Sequence, residues 1–284
     1  MPEKRQTPTV RLRRLAAELR SLRTAAGLTR EAVVESTGIN AATLYRIEHA
    51  RVRPQTRTLR TLLDLYGVEK DQQDELVALL RDARERGWLQ AYQSGLPGQY
   101  STFIGLEGEA ESEWNYESLL IPGLLQTTDY ARAVISGGQP FLSREEVGQR
   151  VEVRMERQGV LHSDHPLSLW AIADEAALRR QVGNSSVMRK QIRHLLDMSE
   201  LPNVTLQVIP FNAGAHPGQT GSFIAVQYEA SIPDVVYIES LAGDLFLEEE
   251  SQVRRYKLIF EHLRAVSASP DASRALMESL AAEK

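Results

Sequence analysis

The sequence predicts a mostly α N-terminal domain of five helices, followed by a C-terminal α+β domain with a small sheet. Three observations carry this expectation. From Val10 to about Tyr92, apolar residues recur three and four positions apart, with glycines breaking the pattern at short intervals. From Pro166 onward, runs rich in β-branched and aromatic residues stand between clusters of turn residues. Between the two regions SGLPG interrupts the helical period, and 284 residues exceed what one core usually organises. The expected partition is 1–68, a helical connector over 69–95, and 96–284.

Taken in order, residues 1–9 are polar, include Pro2 and Pro8, and read as a frayed terminus. The first helix is expected from Val10 to Ala26, with Leu12, Leu15, Leu19 and Leu22 or Arg23 on its buried side and Gly27 as its stop. Thr29 can accept a free backbone N–H of the second helix, Glu31 suits the positive end of that helix, and Gly38 ends it. Ile39 drops into the core and Asn40 caps a third helix, AATLYRIEH. There Leu44 and Ile47 face inward, whereas Ala41, Ala42, Tyr45 and Arg46 fall on the outer side. Pro54 cannot continue a helix, and Arg51, Arg53 and Arg57 bracket the loop around it. A fourth helix over Thr56–Tyr66 turns Leu59, Leu62, Leu63 and Tyr66 inward and closes at Gly67. A fifth is expected over Asp71–Tyr92, with Leu76, Leu79, Leu80 and Ala83 inside. Its charged end, RDARERGW, reads as a connector or a dimerisation surface.

Past Leu96 the pattern predicts a helix over Ile104–Leu119 presenting Leu106, Ala110 and Trp114, then a Pro-Gly turn and a helix capped by Thr127 or Thr128. Ser143 and Glu146 form a capping box opening a long helix to about Leu161. PLSLWAIA, NVTLQVIPF, GSFIAVQYE and VVYIES are expected strands, with DLFLE a further short one. DEAALRRQV and VMRKQIRHLLDMSEL are expected helices, and two more, Glu249–Ser267 and Asp271–Glu283, close the chain.

Composition narrows the class. With 42% hydrophobic and 25% charged residues the chain is ordinary for a soluble globular protein. No apolar run approaches the ~18 residues that a membrane span needs. MPEKRQTPTVRLRRL lacks the apolar core of a secretory signal, so the cytoplasm is expected and a membrane partner is not. The absence of cysteine excludes disulfides and thiolate zinc sites. The net charge of −5 hides a division: residues 1–67 hold 13 Lys/Arg against 6 Asp/Glu, +7, leaving 20 against 32, −12, for the remainder. A basic front on an acidic body suits a partner rich in phosphate.

Two short helices joined by a turn of about four residues containing glycine form a helix-turn-helix unit, whose second helix lies in the DNA major groove. The spacing L-T-x-E-x-V-V-x-x-T-G-I-N-x-x-T-L-Y-R-I-E-x-x-R-x-x-P-x-x-x-T-L, over roughly residues 11–68, resembles the Xre class of regulators, the Cro/C1 or lambdoid phage repressor type. Three departures stand out. Arg30 occupies a position often held by Gln in that class, which favours a phosphate contact over base reading. Val34 replaces the usual Ala where the two helices approach, which widens the crossing or strains it by roughly 1 kcal/mol or more. Ala41 and Ala42 cannot hydrogen-bond a base. The resemblance also implies an Arg23–Glu48 ion pair bridging the first and third helices, which would orient the reading helix more than stabilise it.

Double-stranded DNA bound by a homodimer is therefore expected, on half-sites roughly 34 Å apart in a near-palindrome. Arg46 is the leading base reader, able to fork onto guanine. Thr43 and Tyr45 suit a thymine methyl or a phosphate, and Ala41 and Ala42 suit thymine methyls. Thr29, Arg30, Asn40, Arg51, Arg53 and Arg57 are assigned to the backbone.

The rest of the chain offers less chemistry. His162, Asp164 and His165 read as a surface loop rather than metal ligands, since no third helix-spaced ligand accompanies them. NAGAHPGQTGSF, with Gly214, Gly218 and Gly221, lacks the P-loop lysine and favours a turn between strands over an anion site. Ser185 and Ser186 lie outside any G-x-S-x-G elbow. No catalysis, metal or cofactor is expected. A pocket drawing on Trp114, Trp170, Phe211 and His216 is the candidate place for a small-molecule effector. LEGEAESEWNYESLLIPGLLQTTDYARA, VRMERQGVL, DEAALRRQVG, NVTLQVIPFNAGAHPGQTGSF and VVYIES together resemble the C-terminal domain of WhiJ-like regulators of actinobacteria. That resemblance implies transcriptional control and a small protein partner encoded nearby, in an arrangement likened to antitoxin and toxin.

Overall fold

A computed structural model describes residues 10–82, 96, 98–229, 232–240 and 243–283. The chain divides into two compact units. The first holds α1 (Val10–Ala25), α2 (Arg30–Thr37), α3 (Ala41–Glu48), α4 (Thr56–Leu65) and α5 (Lys70–Asp82). Its core gathers Leu15 and Leu19 of α1, Val33 of α2, Leu44 and Ile47 of α3, and Leu59, Leu62 and Leu63 of α4. Val34, the bulky residue of α2, is only partly buried against this core. α5 adds Leu76, Val77 and Leu80, so its amphipathic face belongs to the same core, although residues from 69 read as a connector in the sequence. Ala83 and the charged segment after it lie outside the described residues, as do residues 1–9. The unit also takes in α6 (Gly98–Glu107) and residues 228–229, where the Tyr228 hydroxyl donates to the Leu106 carbonyl at 2.9 Å.

Three helix ends in this unit share one geometry. After α1 and α4, Gly27 and Gly67 adopt positive φ, and the two N–H groups that follow the helix fold back onto carbonyls of its last turn. α3 ends the same way: Ala50 N–H donates to the Ile47 carbonyl at 3.0 Å and Arg51 N–H to that of Arg46 at 2.7 Å. Here an alanine, Ala50, holds the left-handed position at φ 52°.

The second unit is built on a six-stranded mixed sheet. Its strands are β1 (Ser112–Glu117), β2 (Ser168–Asp174), β3 (Val204–Ile209), β4 (Phe223–Gln227), β5 (Val235–Ile238) and β6 (Leu245–Leu247), in the order β3-β2-β1-β4-β5-β6. β1, β2 and β3 run parallel, and β4, β5 and β6 continue the sheet antiparallel. Between β1 and β2 stand α7 (Thr128–Gly138) and α8 (Arg144–Arg157), and between β2 and β3 stand α9 (Glu175–Arg179) and α10 (Ser185–Met198). α11 (Glu250–Val266) and α12 (Pro270–Glu283) follow the sheet. Thr127 caps α7, and Ser143 with Glu146 forms the capping box of α8, both as the sequence suggests.

Period two sorts the strand residues between two cores. Ile172, Ile209, Phe223 and Val236 meet Phe260 and Leu263 of α11 on one face. Leu169, Ala171, Leu206 and Val208 meet α10 and α12 on the other, through Ile192, Leu195, Met277 and Leu280. The edge strand β3 is blunted: Val208 N–H donates to the Ser273 hydroxyl of α12 at 2.9 Å, and the Val208 carbonyl accepts from Ala268 N–H at 2.9 Å.

One expectation is corrected here. The helix predicted over Ile104–Leu119 does not exist: α6 ends at Glu107 and Ser112–Glu117 is the central strand. Trp114 and Tyr116 face one core by alternation, while Glu113 and Asn115, both fully buried, face the other, where Asn115 Nδ2 donates to Glu113 Oε1 at 3.0 Å. Neighbours on both sides of the sheet decide this segment, and glutamates that suit a helix locally do not outweigh them.

β1 ends in a second acid, Glu117, whose carboxyl is pushed up from 4.5 to about 7, chiefly by burial and further by Glu239, against the opposing pull of Ser222, Arg154 and Arg157. A carboxyl raised on folding adds stability that is fully present below pH 4.5 and lost as pH rises through about 7. Urea midpoints measured across that window are expected to fall with pH, and to fall less steeply in Glu117→Gln. Identical slopes in the two proteins would exclude Glu117 as the source.

Candidate nucleic-acid interface and C-terminal pocket

The turn between α2 and α3 is set by its caps. Thr29 Oγ1 accepts from Ala32 N–H at 3.2 Å, and Gly38 takes φ 69° while returning its N–H to Val34. Asn40 Oδ1 accepts from Ala42 N–H at 2.9 Å, starting α3. Thr29 and Asn40, assigned to phosphate from the sequence, therefore spend their side-chain oxygens on the helices that present the site.

α3 has two chemically distinct faces. Leu44, Ile47 and Glu48 are buried, whereas Ala41, Ala42, Tyr45 and Arg46 are exposed and Thr43 lies between. Glu48 is 1% exposed and receives two arginines: Arg23 Nε at 2.6 Å on Oε1 and Arg30 Nε at 2.8 Å on Oε2. Arg23 also donates to the Leu28 carbonyl at 2.8 Å, tying α1, the start of α2 and α3 together. The Tyr66 hydroxyl, pushed up to about 12 by burial and then by the Glu48 charge, stays protonated beside this group.

On the outer face the Arg46 guanidinium lies back along its own helix, donating to the Ala42 carbonyl at 3.1 Å and the Thr43 hydroxyl at 3.3 Å. The Tyr45 ring stacks on His49 with centroids 3.9 Å apart, and the guanidinium carbons of Arg30 and Arg51 sit 5.4 and 5.5 Å from its centre. Arg30 thus serves the buried carboxylate as well as the surface, with 39% of its side chain exposed. Arg51 and Arg57 are exposed. Arg53 departs from its assignment: its guanidinium donates to the Leu80 carbonyl of α5.

In the second unit the four expected pocket residues separate. Trp114 stacks on Phe260, with centroids 5.0 Å apart, and the Arg264 guanidinium lies 3.6 Å from the centre of the Trp170 ring, so both tryptophans are covered by α11. They are register partners on adjacent strands, and neither lines the pocket that takes the other two residues. Phe211 and His216 do line a pocket of about 380 Å³, together with Tyr116, Ser118, Asp174, Pro210, Gly214 and Gln219. Sequence reasoning missed Tyr116, hidden in a misassigned helix, and Asp174, which reads as a plain helix start. The W-x-Y alternation of β1 is the signal that would have exposed the first. The second requires knowing that β1, β2 and β3 run parallel, so that their last residues share one edge.

A capped helix pair whose second helix exposes Ala41, Ala42, Tyr45 and Arg46 on one face is the geometry of a helix-turn-helix domain, and residues 14–76 match the family model for that domain. The chain is accordingly a DNA-binding regulator by class. It belongs to the family of a domain of unknown function, DUF5753, whose model matches residues 100–279. No curated protein and no solved structure matches it. No described helix is long and apolar enough to cross a membrane.

Proposed function

We propose that the protein is a cytoplasmic, non-catalytic repressor of the Xre type, acting as a dimer on a near-palindromic operator, with its output set through the C-terminal domain. The observation that carries this reading is the exposed face of α3, held in place by the Arg23–Glu48–Arg30 group. One such face reads only a few base pairs, so two-fold pairing is needed for a selective site. Swinging out from Ala42 and Thr43, Arg46 can fork onto guanine O6 and N7, a contact of about 1–3 kcal/mol in discrimination. Arg51 and Arg57, exposed beside α3 and at the start of α4, are suited to phosphates.

Selection of binders from random duplexes, followed by sequencing, yields the operator and tests its symmetry. On that operator Arg46→Ala is expected to lose affinity while binding to random DNA is nearly unchanged; equal losses on both would remove its base-reading role. Arg57→Ala is expected to weaken both and to flatten the salt dependence by about one unit.

A further inference from the structure

We infer that the pocket at the carboxyl ends of β1, β2 and β3 binds a small uncharged aromatic molecule bearing hydroxyl groups, held by Tyr116 and His216. The inference deepens the effector reading above and rests on it only for the consequence at the operator. Residues beyond the ends of parallel strands are where open sheets of this kind place ligands, and all three parallel strands lead here: Tyr116 near the end of β1 and Ser118 after it, Asp174 at the end of β2, Pro210 and Phe211 after β3. At about 380 Å³ the space falls low in the range of roughly 300–1,000 Å³ typical of small-molecule sites.

Two polar atoms at this site lack partners. Tyr116 is 0% exposed and its hydroxyl makes no hydrogen bond; the His216 side chain is 5% exposed and its Nδ1 makes none. Folded proteins rarely leave such groups unmatched. Burial raises the Tyr116 hydroxyl well above its ordinary value, so it stays a donor. His216 Nε2 faces Asp174 Oδ2 at 3.4 Å; in the neutral tautomer with its proton on that nitrogen, Nδ1 is an acceptor. A ligand hydroxyl accepts from the first group and donates to the second.

Charge excludes the other classes. The lining holds no Lys or Arg to fix an anion. Its one carboxylate, Asp174, is already engaged by His216 and by Ala176 N–H at 2.8 Å, which leaves little for a cation. Phe211, 59% exposed beside the opening, and Pro210 supply a flat apolar wall for a ring.

Calorimetric titration of the full-length protein tests this with para-hydroxybenzamide, umbelliferone and naringenin, uncharged phenols of rising size. Para-hydroxybenzoate, tyramine and inorganic phosphate serve as charged controls. At least one uncharged phenol is expected to bind, the controls not to, and both Tyr116→Phe and His216→Gln to weaken binding by roughly tenfold or more. Because Tyr116→Phe removes a hydroxyl without a partner, it is expected to melt no earlier than the parent protein, which separates lost binding from lost folding. Binding by none of the three phenols, preference for a charged control, or unchanged affinity in both variants overturns the inference. Operator affinity measured with and without the phenol keeps the two readings apart: phenol binding that leaves operator affinity unchanged counts against regulation through the C-terminal domain and not against the pocket.

Discussion

Replacing Glu48 with alanine is expected to destabilise the first unit by about 3–5 kcal/mol, the cost typical of breaking a buried ion pair from one side. The carboxylate is 1% exposed and answers two guanidiniums, and the Arg23 side chain is itself only 14% exposed. Without Glu48, Arg23 keeps its bond to the Leu28 carbonyl but holds an uncompensated charge beside the Tyr66 hydroxyl. Against the ~5–15 kcal/mol that holds a domain folded, this loss is large. Urea denaturation measures it, with the midpoint expected to drop by about 1 M or more. Replacing both partners, Arg23→Met with Glu48→Leu, is expected to recover most of the loss, because an apolar pair needs no compensating charge. A loss below about 1 kcal/mol in Glu48→Ala would mean that the group behaves as a surface pair.

The second large effect is expected at Gly218. A Cβ there would lie 2.4 Å from Tyr116 Cζ, 2.5 Å from Cε1 and 2.6 Å from the hydroxyl oxygen. The ring is fully buried with His216 edge-on at 6.2 Å and Phe223 at 6.0 Å, so relieving the contact requires the ring or the glycine backbone to shift. Gly218→Ala is therefore expected to cost about 3 kcal/mol, the upper end of ordinary overpacking. Gly159→Ala serves as the comparison: its φ is not positive and nothing stands within 4 Å of the new Cβ, so neither strain nor overpacking applies and a change below about 1 kcal/mol is expected. Differential scanning calorimetry on both variants ranks them, and a Gly159 variant that melts earlier than the Gly218 one would refute the close contact. Trimming the ring in Gly218→Ala/Tyr116→Leu is expected to return part of the lost stability.

What could be read from the sequence was what neighbours along the chain decide. Thr29, Gly38 and Asn40 act within a few residues of themselves, and so do Ser143 and Glu146; their roles and the helices they delimit match the structure. The strands built of Val, Ile, Leu and Phe were legible too, because two buried faces need continuous apolar runs. β1 was not. Its partners are residues 168–173 and 223–227, and three polar side chains on one of its faces mask the alternation of Trp114 and Tyr116 on the other. The same distance in sequence explains the pocket. Phe211 and His216 drew notice as an aromatic and an imidazole in a glycine-rich loop, but Tyr116 and Asp174 join them only once three strands align. Arg53 shows the converse limit: an arginine in a basic loop reads as a surface charge until the carbonyl of Leu80 is known to lie within its reach.

The division of α3 into two faces has a consequence for how such a regulator diversifies. Leu44, Ile47 and Glu48 anchor the helix, while Ala41, Ala42, Tyr45 and Arg46 project from it without contributing to either core. If the second set reads DNA as proposed, an address written on it can be rewritten one letter at a time on an unchanged scaffold. Duplicated copies of the chain could drift toward separate promoters without passing through an unfolded ancestor.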